Sequence, residues 1–261
     1  MCGNGVMELL VKKIIIMKGE GKLDYNYYYE LMKRLYEALT LTDDKKALNL
    51  HDKGISVDKK RFKLFNYTLC FDKEVKYLND GISFNKDNSI RLILSGDTDI
   101  LNPIIKGLIT KQVITLNGVE LKITNMEDDK KFNFKNIMLY KVRSPIVETI
   151  FNGERIEYLN PCQENWYSAL ANNLKRKYKA VYNEEYEGEL FFDIEDILNV
   201  KKKMINKIKK GFLIGYTDFE IFVQATPKMQ KIAYNLGLGQ NSSLGMGAIS
   251  YIKGWNNEQD I

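Results

Sequence analysis

The order of predicted secondary-structure elements repeats in the two halves of this 261-residue chain. A polar, charged segment, residues 125–136, separates the halves and predicts two domains, residues 1–130 and 131–261. On each side of it, hydrophobic periodicity gives roughly the order β-α-β-β-α-β of a ferredoxin-like unit. The sequence therefore predicts an α+β protein with two tandem ferredoxin-like (RRM-like) domains and a C-terminal glycine-rich loop. No residue-level identity links the halves, so only the order of elements repeats.

Capping and turn residues set the predicted boundaries of these elements. Asp24 is the expected N-cap of the first helix, Asn160–Gln163 form a capping box with proline for the third, and Gly237 ends the fourth. The first half is predicted to contain a strand at 7–17, a helix at 24–39, strands at 62–71 and 89–95, a helix at 97–109 and a hairpin at 112–123. The second half is predicted to contain a strand at 137–142, a helix at 160–181, strands at 204–208 and 212–225, a helix at 226–236 and a strand at 248–252.

The most specific local pattern is the glycine-rich segment Gly237–Gly247, GLGQNSSLGMG. Such a loop leaves backbone N–H groups uncovered, so an anion can approach them closely. It is not a dinucleotide fingerprint, because Ser242 stands where the third glycine would be, and no Lys-Ser or Lys-Thr pair makes it a Walker loop. A helix before the loop and a strand after it fit a loop that holds a nucleic-acid backbone. The alternative is a long hairpin or helix-capping loop without a ligand.

Composition restricts the chemistry available to the chain. The three cysteines lie far apart without a CxxC pair, which predicts a reduced, cytoplasmic protein without a disulfide framework or zinc site. His51 is the only histidine, so a multi-histidine metal site is excluded, and the pattern predicts no cofactor and no metal. The apolar run Ile14–Met17 is too short to cross a membrane. The net charge of +5 matters only if the basic residues are clustered.

Three passages, taken with the element order, resemble the RAMP superfamily of CRISPR-associated proteins. They are the glycine-rich segment, Ser144-Pro145-Ile146 after the first strand of the second half, and Leu50-His51-Asp52-Lys53-Gly54 before the second strand of the first half. Within that superfamily, the chain is similar to the endoribonucleases that process CRISPR repeat RNA. The resemblance covers nearly the whole chain in element order, although only the glycine-rich segment is specific by itself.

The resemblance implies cleavage of RNA without metal, in which the 2′-hydroxyl attacks the adjacent phosphate. The products carry a 2′,3′-cyclic phosphate and a 5′-hydroxyl. His51 matches the family's active-site histidine and suits either proton transfer, because a histidine pKa of about 6.5 lies near the working pH. Tyr36 and Lys53 are the expected catalytic partners, with Lys59 and Lys60 as alternatives to Lys53. Tyr36 also flanks the apolar stripe of its helix, so plain packing is an equal interpretation.

The resemblance also implies CRISPR repeat RNA as the partner, with an effector complex and a homodimer as further partners. The RNA-binding residues expected in the second half are Gly237, Gly239, Gln240, Asn241, Ser242, Ser243, Gly245, Gly247, Lys201 and Lys203. A basic face of the third helix, Lys175, Arg176, Lys177 and Lys179, is predicted to lie opposite its apolar stripe. Two alternatives stay open: a non-catalytic RAMP subunit that binds guide RNA, and an unrelated small-molecule or protein-binding module on the same scaffold.

Overall fold

The structure is a computed structural model that describes residues 9–52, 54–206 and 211–256, without the side chains of residues 51, 52 and 206. Its helices are α1 (Tyr28–Thr42), α2 (Asp44–Asp52), α3 (Thr98–Lys111), α4 (Glu164–Tyr182) and α5 (Pro227–Leu236). Two short 3-10 helices occur at Ile197–Asn199 and Ser242–Leu244. Within the described ranges, no helix combines the length and apolar character needed to cross a membrane.

The strands are numbered here in chain order. They are β1 (Leu10–Lys18), β2 (Gly21–Leu23), β3 (Ile55–Val57), β4 (Lys60–Phe62), β5 (Phe65–Phe71), β6 (Lys76–Leu78), β7 (Gly81–Phe84), β8 (Ile90–Asp97), β9 (Val113–Leu116), β10 (Val119–Asp128), β11 (Ile137–Val142), β12 (Thr149–Phe151), β13 (Ile156–Tyr158), β14 (Phe191–Asp193), β15 (Lys201–Asn206), β16 (Phe212–Thr217), β17 (Glu220–Gln224) and β18 (Ile249–Trp255).

The first half forms an antiparallel sheet in the order β5-β8-β1-β10-β9. Without the hairpin strand β9, this is the strand order of a ferredoxin-like unit, with the first strand β1 in the centre. The stripe Leu31, Leu35 and Leu39 of α1 is fully buried in a core with the inward side chains of β1 and β8. Helix α3 completes this core through Leu101, Ile104 and Leu108.

The second half repeats this topology in the sheet order β14-β17-β11-β18. Trp166, Leu170 and Leu174 of α4 are fully buried against side chains of β11 and β17. The predicted fold class, two tandem ferredoxin-like units, is therefore confirmed. Smaller elements are added to this frame: the hairpin β3–β4, the three-stranded sheet β2-β7-β6, and the two-stranded sheets β12–β13 and β15–β16.

Several predicted boundaries agree with the structure because their signals are local. Asp97 caps α3 by accepting a hydrogen bond from the Asp99 N–H, at 2.8 Å. The hairpin between β9 and β10 turns at Asn117-Gly118, where both residues have positive φ. Helix α5 begins after the cap Thr226 and ends at Gly237, as predicted.

Other predicted boundaries of helices and strands differ from the structure. Helix α1 begins at Tyr28 because the Asp24 side chain instead accepts from the Asn26 N–H, at 2.6 Å, which forms a turn. Helix α4 begins at Glu164, although the predicted bond from the Asn160 N–H to Gln163 Oε1 is present at 2.8 Å. The single strand expected at 212–225 is split by Asp218, whose φ is +67°.

The two halves meet at the glycine-rich segment. Strand β5 of the first half packs against it, and the Asn66 side-chain amide donates to the Met246 carbonyl at 3.0 Å. On β1 of the same sheet, the Lys12 ammonium donates to the Ile249 carbonyl at 3.1 Å and lies 3.3 Å from the centre of the Tyr234 ring. The segment is therefore enclosed by both halves.

Gly245 provides a direct test of this enclosure. Its φ is +78°, and an added Cβ would lie 2.7 Å from the Tyr67 ring. We expect Gly245→Val to lower the free energy of unfolding by about 3 kcal/mol, because backbone strain and overpacking add.

The matched control for this variant is Gly153→Val. Gly153 also has a positive φ, +96°, but nothing lies within 4 Å of its Cβ position. Gly153→Val should lower the free energy of unfolding by about 1 kcal/mol, which is the cost of the backbone strain alone. Urea unfolding of both variants measures the difference, and equal losses of stability would contradict close packing at Gly245.

Candidate functional site

A cleft of about 560 Å³ lies between the two halves of the protein. The first half contributes residues 60–65, which run from β4 into β5. The second half contributes residues 148–151, one face of α4, and residues 239–243 of the glycine-rich segment. The cleft is therefore built from both halves, and neither half contains it alone.

Positive charge predominates in the lining of this cleft. Its charged lining residues are Lys60, Arg61, Lys63, Arg176, Lys177 and Glu148, which are five cations and one carboxylate. A concave surface of one sign attracts ligands of the opposite charge. Arg176 also lies 3.8 Å from Asp58, but both side chains are partly exposed, so this ion pair is weak. The arrangement suits a polyanion.

Lys177 corrects the prediction of a basic, exposed face on α4. It is buried, and its ammonium donates to three backbone carbonyls: Leu236 at 3.1 Å, Gly237 at 2.8 Å and Gly239 at 2.8 Å. The physical reason is helical spacing, because Lys177 follows the stripe residue Leu174 by three positions and shares its face. Burial lowers the pKa of Lys177 to about 7, while Glu148 opposes this shift.

Glu148 is the buried carboxylate of the cleft, and sequence reasoning missed it. Its Oε2 accepts from the Gln240 side-chain amide at 2.9 Å. Burial raises the pKa of Glu148 to about 7, and the bond from Gln240 and the nearby Lys177 oppose that rise. The available signal was a charged residue directly after the apolar pair Ile146-Val147.

The glycine-rich segment divides into a buried frame and a partly exposed centre. Its four glycines are buried, whereas Gln240, Asn241, Ser242 and Ser243 are partly exposed and line the cleft with Gly239. A Cβ at Gly237 would meet the Asn66 side chain, and one at Gly247 would meet the Leu238 carbonyl. Gly237, Gly245 and Gly247 thus serve close packing within the protein. Their contact with RNA stays a prediction.

The Ser144-Pro145-Ile146 passage has a structural role beside this segment. The Ser144 hydroxyl accepts from the Ala248 N–H at 2.8 Å, and the Pro145 carbonyl accepts from the Gly247 N–H at 2.9 Å. Ile146 pairs with Tyr216 as an isolated bridge. The two passages that carried the resemblance in this half therefore contact each other.

Tyr36 connects the first helix to the cleft through a lysine. Its hydroxyl accepts from the Lys63 ammonium at 2.9 Å, and Lys63 lines the cleft. Burial raises the pKa of Tyr36 well above its ordinary value, so the phenol keeps its proton at neutral pH. The ring also packs edge-to-face on Phe65, which agrees with the packing interpretation, while a catalytic role of Tyr36 stays a prediction. Lys63 was missed because it lies inside a predicted strand.

The catalytic candidates around His51 are only partly described. The backbone of His51 belongs to α2, a helix that the sequence did not predict. Its side chain and all of Lys53 lie outside the described residues. Of the two alternatives to Lys53, Lys59 occupies the β3–β4 turn with φ +65°, and Lys60 lines the cleft.

Lys201 and Lys203 lie on β15 and do not line the cleft. Both are exposed, and the Lys201 ammonium is 3.3 Å from Asp218, a surface ion pair. The inner side of the β15–β16 sheet packs Ile205 and Leu213 in one cluster with Met246. RNA contact by these two lysines stays a prediction.

The described part of the chain contains no group of three or more histidine, cysteine, aspartate or glutamate side chains that could hold a metal ion. The polar groups gathered at the cleft are instead ammonium, guanidinium, amide and hydroxyl groups. Such groups bind phosphate and the edges of nucleobases.

The tandem ferredoxin-like sheets, with a glycine-rich segment before the last strand, define a RAMP-type protein. The model of "CRISPR-associated protein Cas6, N-terminal" matches residues 22–127, and that of "CRISPR associated protein Cas6, C-terminal" matches residues 126–251. The chain belongs to the Cas6 family. The predicted family, the CRISPR-associated repeat-RNA processing endoribonucleases, is therefore confirmed.

Individual relatives agree with this assignment over most of the chain. It is 24% identical to "CRISPR-associated endoribonuclease Cas6 1" of Methanocaldococcus jannaschii, over 90% of this chain and 89% of that protein. It is 25% identical to "CRISPR-associated endoribonuclease Cas6" of Pyrococcus furiosus, over 87% and 83%. A solved structure of a Cas6-related protein from Pyrococcus furiosus superimposes with a TM-score of 0.78 at 18% identity, over 94% of this chain and 99% of that one, which supports the shared fold.

Lys177 is buried at the cleft, so a substitution there tests how far its ammonium stabilises the glycine-rich segment. We expect Lys177→Met to lower the free energy of unfolding by about 2–4 kcal/mol, because three buried carbonyls lose their donor. Lys175→Met, two positions away on the same helix, should change it by less than about 0.5 kcal/mol. Urea unfolding measures the free energy of unfolding of both variants. Equal values would mean that the Lys177 ammonium does not stabilise the glycine-rich segment.

Proposed function

We propose that this chain is a metal-independent endoribonuclease that cleaves precursor CRISPR RNA within its repeats and leaves a 2′,3′-cyclic phosphate and a 5′-hydroxyl. The observation that carries the proposal is the cationic cleft between the two ferredoxin-like units, which combines the polar centre of the glycine-rich segment with the Lys63–Tyr36 pair. Residues 1–130 form the catalytic domain in this proposal, and residues 131–261 carry the glycine-rich segment.

RNA enters this cleft as a polyanion. Lys60, Arg61 and Arg176 reach phosphate oxygens from two different elements, since the first two lie on β4 and the third on α4. The exposed polar centre, Gln240–Ser243, supplies further hydrogen-bonding groups. Because the buried glycines and Lys177 hold this segment in place, little conformational entropy is lost on binding.

The chemistry needs a proton acceptor for the 2′-hydroxyl, a proton donor for the leaving 5′-oxygen, and positive charge beside the phosphate. His51 performs a proton transfer, because its unperturbed pKa lies near neutrality. Tyr36 keeps its proton and therefore acts as a hydrogen-bond donor rather than a base. Lys63, which contacts Tyr36, and Lys53 stabilise the additional charge on the phosphate.

Further parts of the sequence-based hypothesis belong to this proposal. The cytoplasmic location, the effector complex that receives the product, and the homodimer stay predictions. So do the contacts of Lys201 and Lys203, which would extend the RNA path beyond the cleft. Titration of repeat RNA against the protein by size-exclusion chromatography with light scattering addresses the oligomeric state.

The reaction type is tested with 5′-labelled repeat RNA in EDTA. Cleavage should continue, because the nucleophile is the 2′-hydroxyl of the RNA and basic side chains stabilise the negative charge that develops on the phosphate. A 2′-deoxy nucleotide before the cut should abolish cleavage and preserve binding. Strict dependence on a divalent ion, or cleavage of the deoxy substrate, would contradict the proposed mechanism. Binding without any cleavage would identify a non-catalytic RAMP subunit instead.

His51 is tested by substitution in the same assay. His51→Ala should slow single-turnover cleavage by about 10²-fold or more with little change in RNA affinity, as expected for a group that transfers protons. Tyr36→Phe should have a smaller effect. Asn49→Ala is the control, because Asn49 is exposed on the same helix α2. A His51→Ala protein as active as this control would remove His51 from the mechanism.

A further inference from the structure

Two buried hydrogen-bond acceptors in the cleft have no partner among the described residues. They are Glu148 Oε1 and Asn173 Oδ1, and their residues are only 1% and 8% exposed. Both residues line the cleft. An unpaired buried polar atom costs about 1–3 kcal/mol, so a structure keeps two of them at one site only for a reason. The other unpaired atoms, on Asn66, Thr68 and Trp166, do not line this cleft.

The surroundings of these acceptors decide what kind of ligand fits. An acceptor requires a donor, but five cationic side chains also line the cleft, so a metal ion or an ammonium ligand would be repelled. The lining also contains the apolar side chains Phe62, Ile150, Phe151 and Leu159. The site thus has three features: unpaired acceptors, cationic side chains and apolar side chains. A flat, neutral group that carries hydrogen-bond donors along one edge and is attached to a phosphate matches all three. A nucleotide within an RNA strand is such a group.

The number of acceptors distinguishes between the four bases. On its Watson–Crick edge, guanine presents two separate donor groups, the N1–H and the N2 amino group. Adenine, cytosine and uracil each present one donor group on that edge, beside at least one acceptor. An acceptor of these bases would face the Glu148 carboxylate or the Asn173 carbonyl unfavourably. Two unpaired acceptors in one cleft therefore favour guanine.

Gly239 lies directly beside one of the two buried acceptors. A Cβ at Gly239 would lie 3.4 Å from Glu148 Oε1 and 2.8 Å from the Val147 carbonyl. Any side chain at this position would therefore cover the oxygen. The second carboxylate oxygen is already held by Gln240, so the orientation of Oε1 is fixed before a ligand binds.

We propose that Glu148 and Asn173 form a guanine-recognition subsite, in which Glu148 Oε1 and Asn173 Oδ1 accept hydrogen bonds from the N1–H and N2 amino group of one guanine in the bound RNA. Lys60, Arg61 and Arg176 then reach the adjacent phosphates, and the apolar lining covers the base. This inference rests on the proposed RNA function. It makes Glu148 a specificity-determining residue and gives it no part in the cleavage step.

The test is run above pH 7, where the Glu148 carboxyl group is ionised, and uses labelled octauridylates in which one central position is guanosine, inosine, adenosine, cytidine or uridine. The wild-type protein should bind the guanosine oligomer about tenfold more tightly than octauridylate, the size expected for one paired base edge. The affinity for the inosine oligomer, whose base lacks the N2 amino group, should lie between those for the guanosine oligomer and octauridylate. Adenosine and cytidine should stay near octauridylate.

Glu148→Gln and Glu148→Ala should reduce the preference for guanosine to about twofold or less, while affinity for octauridylate is retained. The glutamine variant keeps the size of the side chain, and thermal melting shows whether each variant is folded. Glu154→Gln is the matched control, because Glu154 is exposed between β12 and β13 in the same part of the chain. It should retain the full preference.

The possible results separate this inference from the function on which it rests. Equal affinities of the wild-type protein for the guanosine oligomer and octauridylate would overturn the subsite, even if repeat RNA is cleaved in EDTA. A folded Glu148→Gln protein that retains the preference would overturn the assignment to Glu148. Failure to bind any oligomer, together with failure to cleave repeat RNA, would overturn both proposals.

Discussion

The hydrogen bonds from the Lys177 ammonium to three carbonyls are the interaction on which the site depends. Leu236 and Gly237 stand where α5 ends, and the last carbonyls of a helix have no partner within it. A lysine from α4 supplies all three donors at once. It therefore joins the end of α5, the start of the glycine-rich segment and the wall of the cleft. The burial of this charge is tolerable because every N–H of the ammonium has an acceptor.

The glycines follow from how closely the segment is enclosed. Tyr67 and Asn66 contact it from the first half, and Ser144 and Pro145 contact it from the second. Side chains would not fit at these contacts, so close approach within the protein is itself a reason for glycine. A glycine-rich segment is often interpreted as a flexible loop for a ligand. Here the buried frame instead holds the four polar residues between Gly239 and Leu244 in a fixed place.

Much of the fold was predictable because its signals are local. Strand β11 and helix α5 have the predicted bounds, since an apolar strand, a Thr-Pro start and a glycine stop are each contained in a few residues. The pairing of Lys177, Glu148 and Gln240 was not predictable, because these residues are distant in sequence and meet only after the second half has folded. Helix α2 was missed too. It placed His51 on a helix where the sequence indicated a loop.

The position of the cleft explains how a duplicated fold acquires one site. Each ferredoxin-like unit has its own core, although Leu10 and Leu64 of the first half are buried in the core cluster of the second. The site between the units combines polar groups from both: Lys63 and Tyr36 come from the first, and Glu148, Asn173 and the glycine-rich segment come from the second. The Lys63–Tyr36 pair proposed for the cleavage step and the acceptors proposed for base recognition therefore lie in different units. In the proposed function an RNA strand contacts both walls, so base recognition by the second unit would position the phosphate for the first.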